Sequence, residues 1–253
     1  MTSVLSADQL TIRFGGLTAV DTVSFDVRER EVYTIVGPNG AGKTTIFNMI
    51  SRIYDPTDGR ITFFGDDITD VPAHKVAGIG IARTFQNIEL FEHASVLHNL
   101  LVGRHCKSHN NVFQELAFLP SVRKAELDHR EKVEEVIDFL DLQPYRDQYI
   151  ANLPYGVRKV VELGRALCTE PKLLLLDEPA SGLNVEETEN VAFWIDDIKN
   201  DLGITILMVE HDMSLVSEVS DRVLAMNDGK VIAEGTSSEV QSHPEVLRAY
   251  LGA

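Results

Sequence analysis

Apolar residues in this chain switch repeatedly between two spacings, and the switches mark alternating strands and helices. Val32-Tyr33-Thr34-Ile35-Val36 is rich in β-branched and aromatic residues, which predicts a buried strand, and Ile46, Phe47, Met49, Ile50 and Ile53 then recur at helical spacing. Val23-Ser24-Phe25-Asp26-Val27 alternates as a half-wet strand does, and residues 61–64 form a short β run opened by the turn-like Pro56-Thr57-Asp58-Gly59. From about residue 95 to 140 the pattern is helical, with Val133, Val136, Ile137 and Leu140 on one face. The β/α alternation resumes with a strand over 172–176, a helix face of Val191, Trp194, Ile195 and Ile198, and another buried strand over 205–209. Asn227-Asp228-Gly229 between two β runs predicts a hairpin, and Thr236-Ser237-Ser238-Glu239 a capping box before a short helix. Strands alternating with helices predict an α/β protein with a parallel sheet, β-rich in its front third and interrupted by a helical insert.

Composition changes this picture mainly by exclusion. With 253 residues, 44% hydrophobic and 25% charged, the chain has the makings of a large soluble core. Its apolar runs fall short of the roughly 18 residues of a membrane span, and residues 1–10 lack the basic start and apolar core of a signal segment, so a cytosolic chain is expected. A formal charge of −16 repels nucleic acid phosphates and acidic lipid, and its simplest use is solubility. Cys106 and Cys168 stand alone, without metal-ligand spacing, and are expected to be reduced and inert.

Between the first buried strand and the first helix lies Gly37-Pro38-Asn39-Gly40-Ala41-Gly42-Lys43-Thr44. The glycines let the backbone adopt positive φ and approach a phosphate, so that successive N–H groups and the helix N-terminus face an anion. Asn39, Gly40, Ala41, Gly42, Lys43, Thr44 and Thr45 are therefore the candidate phosphate-binding residues, with Lys43 supplying charge for the β- and γ-phosphates and the Thr44 hydroxyl a ligand for Mg²⁺. A nucleoside triphosphate with magnesium is the expected ligand. Downstream, Leu173-Leu174-Leu175-Leu176 ends in Asp177-Glu178. Asp177 is the expected magnesium partner, direct or through water, and Glu178 the candidate base or water-orienting group.

The order of the phosphate loop, Gln86, Leu153-Pro154-Tyr155-Gly156, Asp177-Glu178-Pro179, Ser181-Gly182-Leu183-Asn184 and His211 resembles an ATP-binding cassette (ABC) ATPase over essentially the whole chain. The resemblance implies a P-loop fold with a mostly parallel core sheet, an antiparallel β subdomain and an inserted helical subdomain. It divides residues 1–253 into a nucleotide-binding part at 1–86, a helical subdomain at 87–165 and a switch part with the C-terminal hairpin at 166–253. It makes Gln86 a magnesium- and water-sensing glutamine and His211 a switch histidine at the γ-phosphate. Phe14 matches the aromatic that stacks on adenine, a contact worth roughly 1–3 kcal/mol by analogy with nucleic acid bases; a hydrophobic strand end is the alternative.

The family's signature segment normally reads Leu-Ser-Gly-Gly-Gln, and here it reads Leu153-Pro154-Tyr155-Gly156-Val157. Pro154 offers neither hydroxyl nor backbone N–H, whereas Gly156 and the following helix start still offer N–H groups. Because a signature covers the nucleotide of the opposite subunit, the defect falls on the partner's site and implies an asymmetric pair. The Arg83-Thr84-Phe85-Gln86 segment, the helical insert and the ending His243-Pro244-Glu245-Val246-Leu247 are similar to the larger ATPase of branched-chain amino acid importers, whose relatives serve urea, amides or aromatic acids. The implied partners are a second ATPase subunit, identical or not, transmembrane permease subunits and, indirectly, a solute-binding protein, with the chain held on the inner face of the membrane and no nucleic acid involved. Ile88 to Leu101 is the expected docking stretch, with Leu90, Phe91, Val96 and Leu100 serving it or packing in the core. An exporter ATPase of the lipopolysaccharide type and a non-transport cassette ATPase are the alternatives.

Overall fold

Every side chain of three short strands is buried: β3 (Val32–Val36), β7 (Leu173–Asp177) and β8 (Thr205–Val209). Such fully buried, mostly apolar strands need cover on both faces and so sit inside a parallel sheet. The computed structural model, which describes residues 3–86, 88–107 and 120–251, places them at the centre of a six-stranded sheet of order β10-β9-β3-β8-β7-β6. Here β6 is Ile81–Arg83, β9 Arg222–Asn227 and β10 Lys230–Gly235, and all neighbours are parallel except the β9–β10 hairpin. That hairpin turns at Asp228 and Gly229, with φ of 48° and 76°, the conformation the Asn-Asp-Gly sequence predicts.

A second, antiparallel sheet of order β2-β1-β4-β5 comprises β1 (Ser3–Phe14), β2 (Leu17–Arg28), β4 (Asp58–Phe63) and β5 (Asp66–Asp67). β2 contains the predicted alternation, with Val23, Phe25 and Val27 buried. β1 was not predicted: its pairing carries register shifts, and Gln9 takes a positive φ, so a simple alternation is broken. The first helix is shorter than its apolar spacing suggested. It runs over Lys43–Ile50 and stops before Arg52, whose backbone is left-handed, leaving Ile53 half exposed outside it. One core joins both sheets to this helix through Leu5, Leu10, Ile35, Phe47 and Ile50.

The chain divides into two units, Met1–Gln86 with Lys172–Ala253, and Asn87–Pro171. The second is helical: Val96–Gly103, Pro120–Phe139 and Tyr155–Leu167 are its main helices, while residues 108–119 of the predicted helical stretch lie outside the described residues. Val133, Ile137 and Leu140 are buried as predicted. Gly164 lets its helix close against Leu100 and Leu140, since a Cβ there would lie 2.9 Å and 3.1 Å from their methyls. Val96 and Leu100 are fully buried and belong to this core rather than to a docking face. Phe91 is exposed, and Ile88 and Leu90 line a shallow cavity of about 170 Å³ with Tyr155 and Arg158. Cys168 is buried in the same unit, which pushes its thiol up to about 12, and Cys106 is also free.

Candidate active site

Parallel strands present their carboxyl ends on one edge of the sheet, where α/β proteins bind ligands. Four adjacent strands here deliver one candidate segment each. The phosphate loop follows β3, His211 follows β8, Asp177 closes β7 with Glu178 behind it, and Gln86 follows β6.

The loop is held by close backbone contact. Gly37 (φ 153°) passes so near Met226 that a Cβ would lie 2.3 Å from its carbonyl oxygen, and a Cβ on Gly42 (φ 99°) would lie 2.7 Å from that of Ala19. Lys43 Nζ donates to the carbonyls of Gly37 at 2.7 Å and Pro38 at 3.1 Å. Burial pulls the Lys43 ammonium below the ordinary lysine range, against the opposing pull of Glu178, Asp177 and Glu210. Asn39, Gly40 and Thr44 are exposed, Thr45 is half-buried and Ala41 is buried.

At the end of β7 the two acids have different surroundings. The Asp177 side chain is 2% exposed; its Oδ2 accepts from Arg83 Nη2 at 2.8 Å, whereas its Oδ1 is buried with no hydrogen-bond partner. Glu178 takes a left-handed backbone (φ 49°) while its N–H donates to the Val209 carbonyl, so the chain turns sharply there. Gln86 Nε2 donates to Glu178 Oε2 at 3.2 Å, and His211 Nδ1 lies 3.8 Å from the same oxygen. His211 is 55% exposed, so its ring is open to a ligand. An unpartnered, buried carboxylate oxygen whose residue, with Glu178 and Glu210, acts electrostatically on the phosphate-loop lysine fits a magnesium–nucleotide complex. Among the described residues no three His, Cys, Asp or Glu side chains are grouped to hold a metal alone, so a cation would take further oxygens from phosphates and water.

Known proteins match this arrangement. The family model described as ABC transporter matches residues 20–181, and that described as branched-chain amino acid ATP-binding cassette transporter matches residues 230–253. The high-affinity branched-chain amino acid transport ATP-binding protein LivG of Salmonella typhimurium is 40% identical over 249 residues, 98% of each chain. The high-affinity branched-chain amino acid transport ATP-binding protein BraF of Pseudomonas aeruginosa is 39% identical over 249 residues, again 98% of each chain. The chain belongs to the ABC transporter family, as an ATP-binding subunit of the branched-chain amino acid type. Its fold matches the crystal structure of the ADP conformation of an ABC transporter's ATP-binding cassette, with a TM-score of 0.88, 33% identity and complete coverage of both chains. A nucleotide-free ATP-binding cassette gives a TM-score of 0.86 at 32% identity, covering 99% of this chain and all of that one.

Other cassette segments take defined positions. Phe14, 45% exposed, ends β1 beside the Gly15-Gly16 turn and meets Tyr54 edge-on at 5.3 Å. In the helical unit Leu153 is buried, while Pro154, with extended ψ, caps the helix Tyr155–Leu167 without a side-chain bond. Arg158 N–H donates to the Pro154 carbonyl at 3.1 Å, closing the first turn of that helix. Asn184 caps the helix Val185–Asn200 in a reciprocal box with Glu187. Among the described residues no helix is long and apolar enough to cross a membrane.

Two charged residues of this site carry no candidate role in the sequence. Arg83, with its side chain 8% exposed, bonds Asp177, Asn48 and Ser51. Glu210 is fully buried: Oε1 accepts from the N–H groups of His211 at 2.8 Å and Asp212 at 3.2 Å, and Oε2 from Ala180 N–H at 3.3 Å. It thereby ties the His211 loop to the turn after Glu178. The available sequence signal was a charge at the end of an apolar strand (Arg83) or directly after one (Glu210).

Proposed function

We propose that the chain hydrolyses ATP with magnesium to drive import of branched-chain amino acids through permease subunits, which it meets at the cytoplasmic face of the cell membrane. The observation that carries the catalytic reading is the convergence of Gln86 and His211 on Glu178, beside the phosphate loop and buried Asp177. The solute assignment is supported by 40% identity to a branched-chain amino acid transport protein across 98% of both chains.

In this mechanism the N–H groups from Asn39 to Thr45 receive the triphosphate, and Lys43 exchanges the Gly37 and Pro38 carbonyls for β- and γ-phosphate oxygens. Phe14 offers its exposed ring to adenine. Glu178 orients the attacking water and accepts its proton, Gln86 holds the Glu178 carboxylate, and His211 contacts the γ-phosphate. Thr44, Asp177 and Gln86 would hold a magnesium ion, which when bound would supply positive charge against the negative charge of the triphosphate. A second ATPase subunit places its signature over this nucleotide, while Leu153, Pro154, Tyr155 and Gly156 cover the partner's. ATP closes the pair to the extent that it binds the closed state more tightly, and hydrolysis reopens it. Since Pro154 withdraws two donors, the partner is a non-identical ATPase whose nucleotide site is the weaker of the two.

Glu178→Gln, measured in the complex with its permease subunits, tests the reading. ATP affinity is expected to persist while hydrolysis falls by about 10²–10⁴-fold, the usual worth of a positioned base. Near-normal turnover would remove Glu178 from the role.

A further inference from the structure

Arg83 lies at the C-terminal end of β6, where it gathers groups from three parts of the fold. Nη1 donates to Asn48 Oδ1, on the last turn of the helix that follows the phosphate loop, and to Oγ of Ser51, which caps that helix, each at 2.8 Å. Nη2 donates to Asp177 Oδ2 at 2.8 Å. The guanidinium lies 5.6 Å from the Phe47 ring centroid and 5.3 Å from that of Phe85, the residue before Gln86.

This geometry divides the two oxygens of one carboxylate. With Oδ2 held by Nη2 of a guanidinium whose other arm is anchored on Asn48 and Ser51, and Oδ1 buried without a partner, the Asp177 side chain has one fixed orientation and one oxygen left to serve a cation. A guanidinium is suited to this because its planar donors fix direction as well as charge, which the single ammonium of a lysine does not. We propose that Arg83 is a positioning residue for magnesium: it locks Asp177 against the phosphate-loop helix and turns Oδ1 toward the metal. The inference rests on the magnesium–nucleotide reading of the site. It assigns Arg83 no contact with ATP, so its removal separates metal binding from nucleotide binding.

Partners that orient a metal ligand typically change metal affinity by about 10–100-fold when removed. The test is calorimetry on the whole chain, titrated with ADP in EDTA and with ADP plus magnesium; the ratio of the two affinities isolates the metal's contribution. In Arg83→Gln the ratio is expected to fall by about tenfold or more toward unity, with the affinity in EDTA unchanged. Arg83→Lys keeps the charge but not the fork and should recover only part of it. Asn48→Ala removes one support of Nη1 while leaving the ion pair, and serves where Arg83→Gln does not fold; a smaller fall of the same ratio is expected. A ratio equal to that of the unmodified chain in the folded variants would overturn the inference, as would equal losses with and without magnesium. If the unmodified chain bound no ADP under either condition, the nucleotide reading itself would fail instead.

Discussion

Removal of the Glu210 carboxylate should weaken the nucleotide-binding unit by about 3–5 kcal/mol. The magnitude follows from what the two oxygens hold. Three backbone N–H groups point at them, at 2.8, 3.2 and 3.3 Å, and Glu210 is fully buried. In Glu210→Ala the Ala180 donor, bonded in a buried setting, is left without a partner at a cost of about 1–3 kcal/mol, and the His211 and Asp212 donors, which water can reach, cost about 1 kcal/mol each. Relief of repulsion from Asp177 and Glu178 trims the sum, and the cavity left by the side chain adds to it. Glu210→Gln should recover less than half, because an amide turns an NH₂ group toward one of the N–H sites. Trp194, the sole tryptophan, is half-buried on the helix Val185–Asn200 of this unit, so urea unfolding followed by its fluorescence reads the relevant transition. A midpoint shift worth under about 1 kcal/mol in Glu210→Ala would refute the claim that this carboxylate ties the two loops together.

The asymmetry implied by Pro154 predicts that Lys43→Ala abolishes most ATP hydrolysis by the assembled transporter, while the matching change in the partner subunit leaves a substantial part; equal losses would count against it. In the helical unit, buried Arg104 donates Nε to His129 Nδ1 at 3.3 Å and Nη1 to the Cys168 carbonyl at 2.7 Å. Burial and the Arg104 cation hold the His129 imidazole below its ordinary value of 6.5, with Asp128 and Glu170 opposing. The unfolded chain therefore binds the proton first: this stabilisation is complete above pH 6.5 and is lost as pH falls through the folded value. Urea titrations followed by far-ultraviolet circular dichroism should show a loss of stability below that pH that is smaller in His129→Gln; an identical pH profile in the variant would exclude His129 as a source.

Much of the nucleotide-binding unit was legible because its signals are local. An all-apolar run followed by a glycine-rich loop and a helical period can be read within twenty residues, and β3, β7 and β8 stand where that pattern put them, β7 displaced by one residue to Leu173–Asp177. β1 escaped because its irregular register hides the alternation, and the helix after the phosphate loop was overextended because nothing about Arg52 advertises a left-handed backbone. Leu90, Phe91, Val96 and Leu100 share the expected docking stretch, yet only packing distinguishes Val96 and Leu100, fully buried, from exposed Phe91. Arg83 and Glu210 were opaque for a different reason. Their partners lie far away in sequence, 94 residues for Arg83 to Asp177 and 30 for Glu210 to Ala180, so no local spacing could announce them.

Those long-range ties also decide how the site responds to damage. The turn at residues 177–180 is the common anchor: Arg83 reaches it from the end of β6, Gln86 from the loop beyond, Glu210 and His211 from the end of β8, and Lys43 feels both of its acids from the phosphate loop. Most of these links are bonds to a buried or half-buried group, for which bulk water is a poor substitute, so a displacement of the turn is transmitted rather than absorbed. On the proposed mechanism, a substitution that shifts the turn should therefore disturb the metal, water and γ-phosphate roles together. Phe14, on a separate hairpin and in ring contact with Tyr54, lies outside this network, and its loss should lower affinity for the base without changing the rate of the bound nucleotide's hydrolysis.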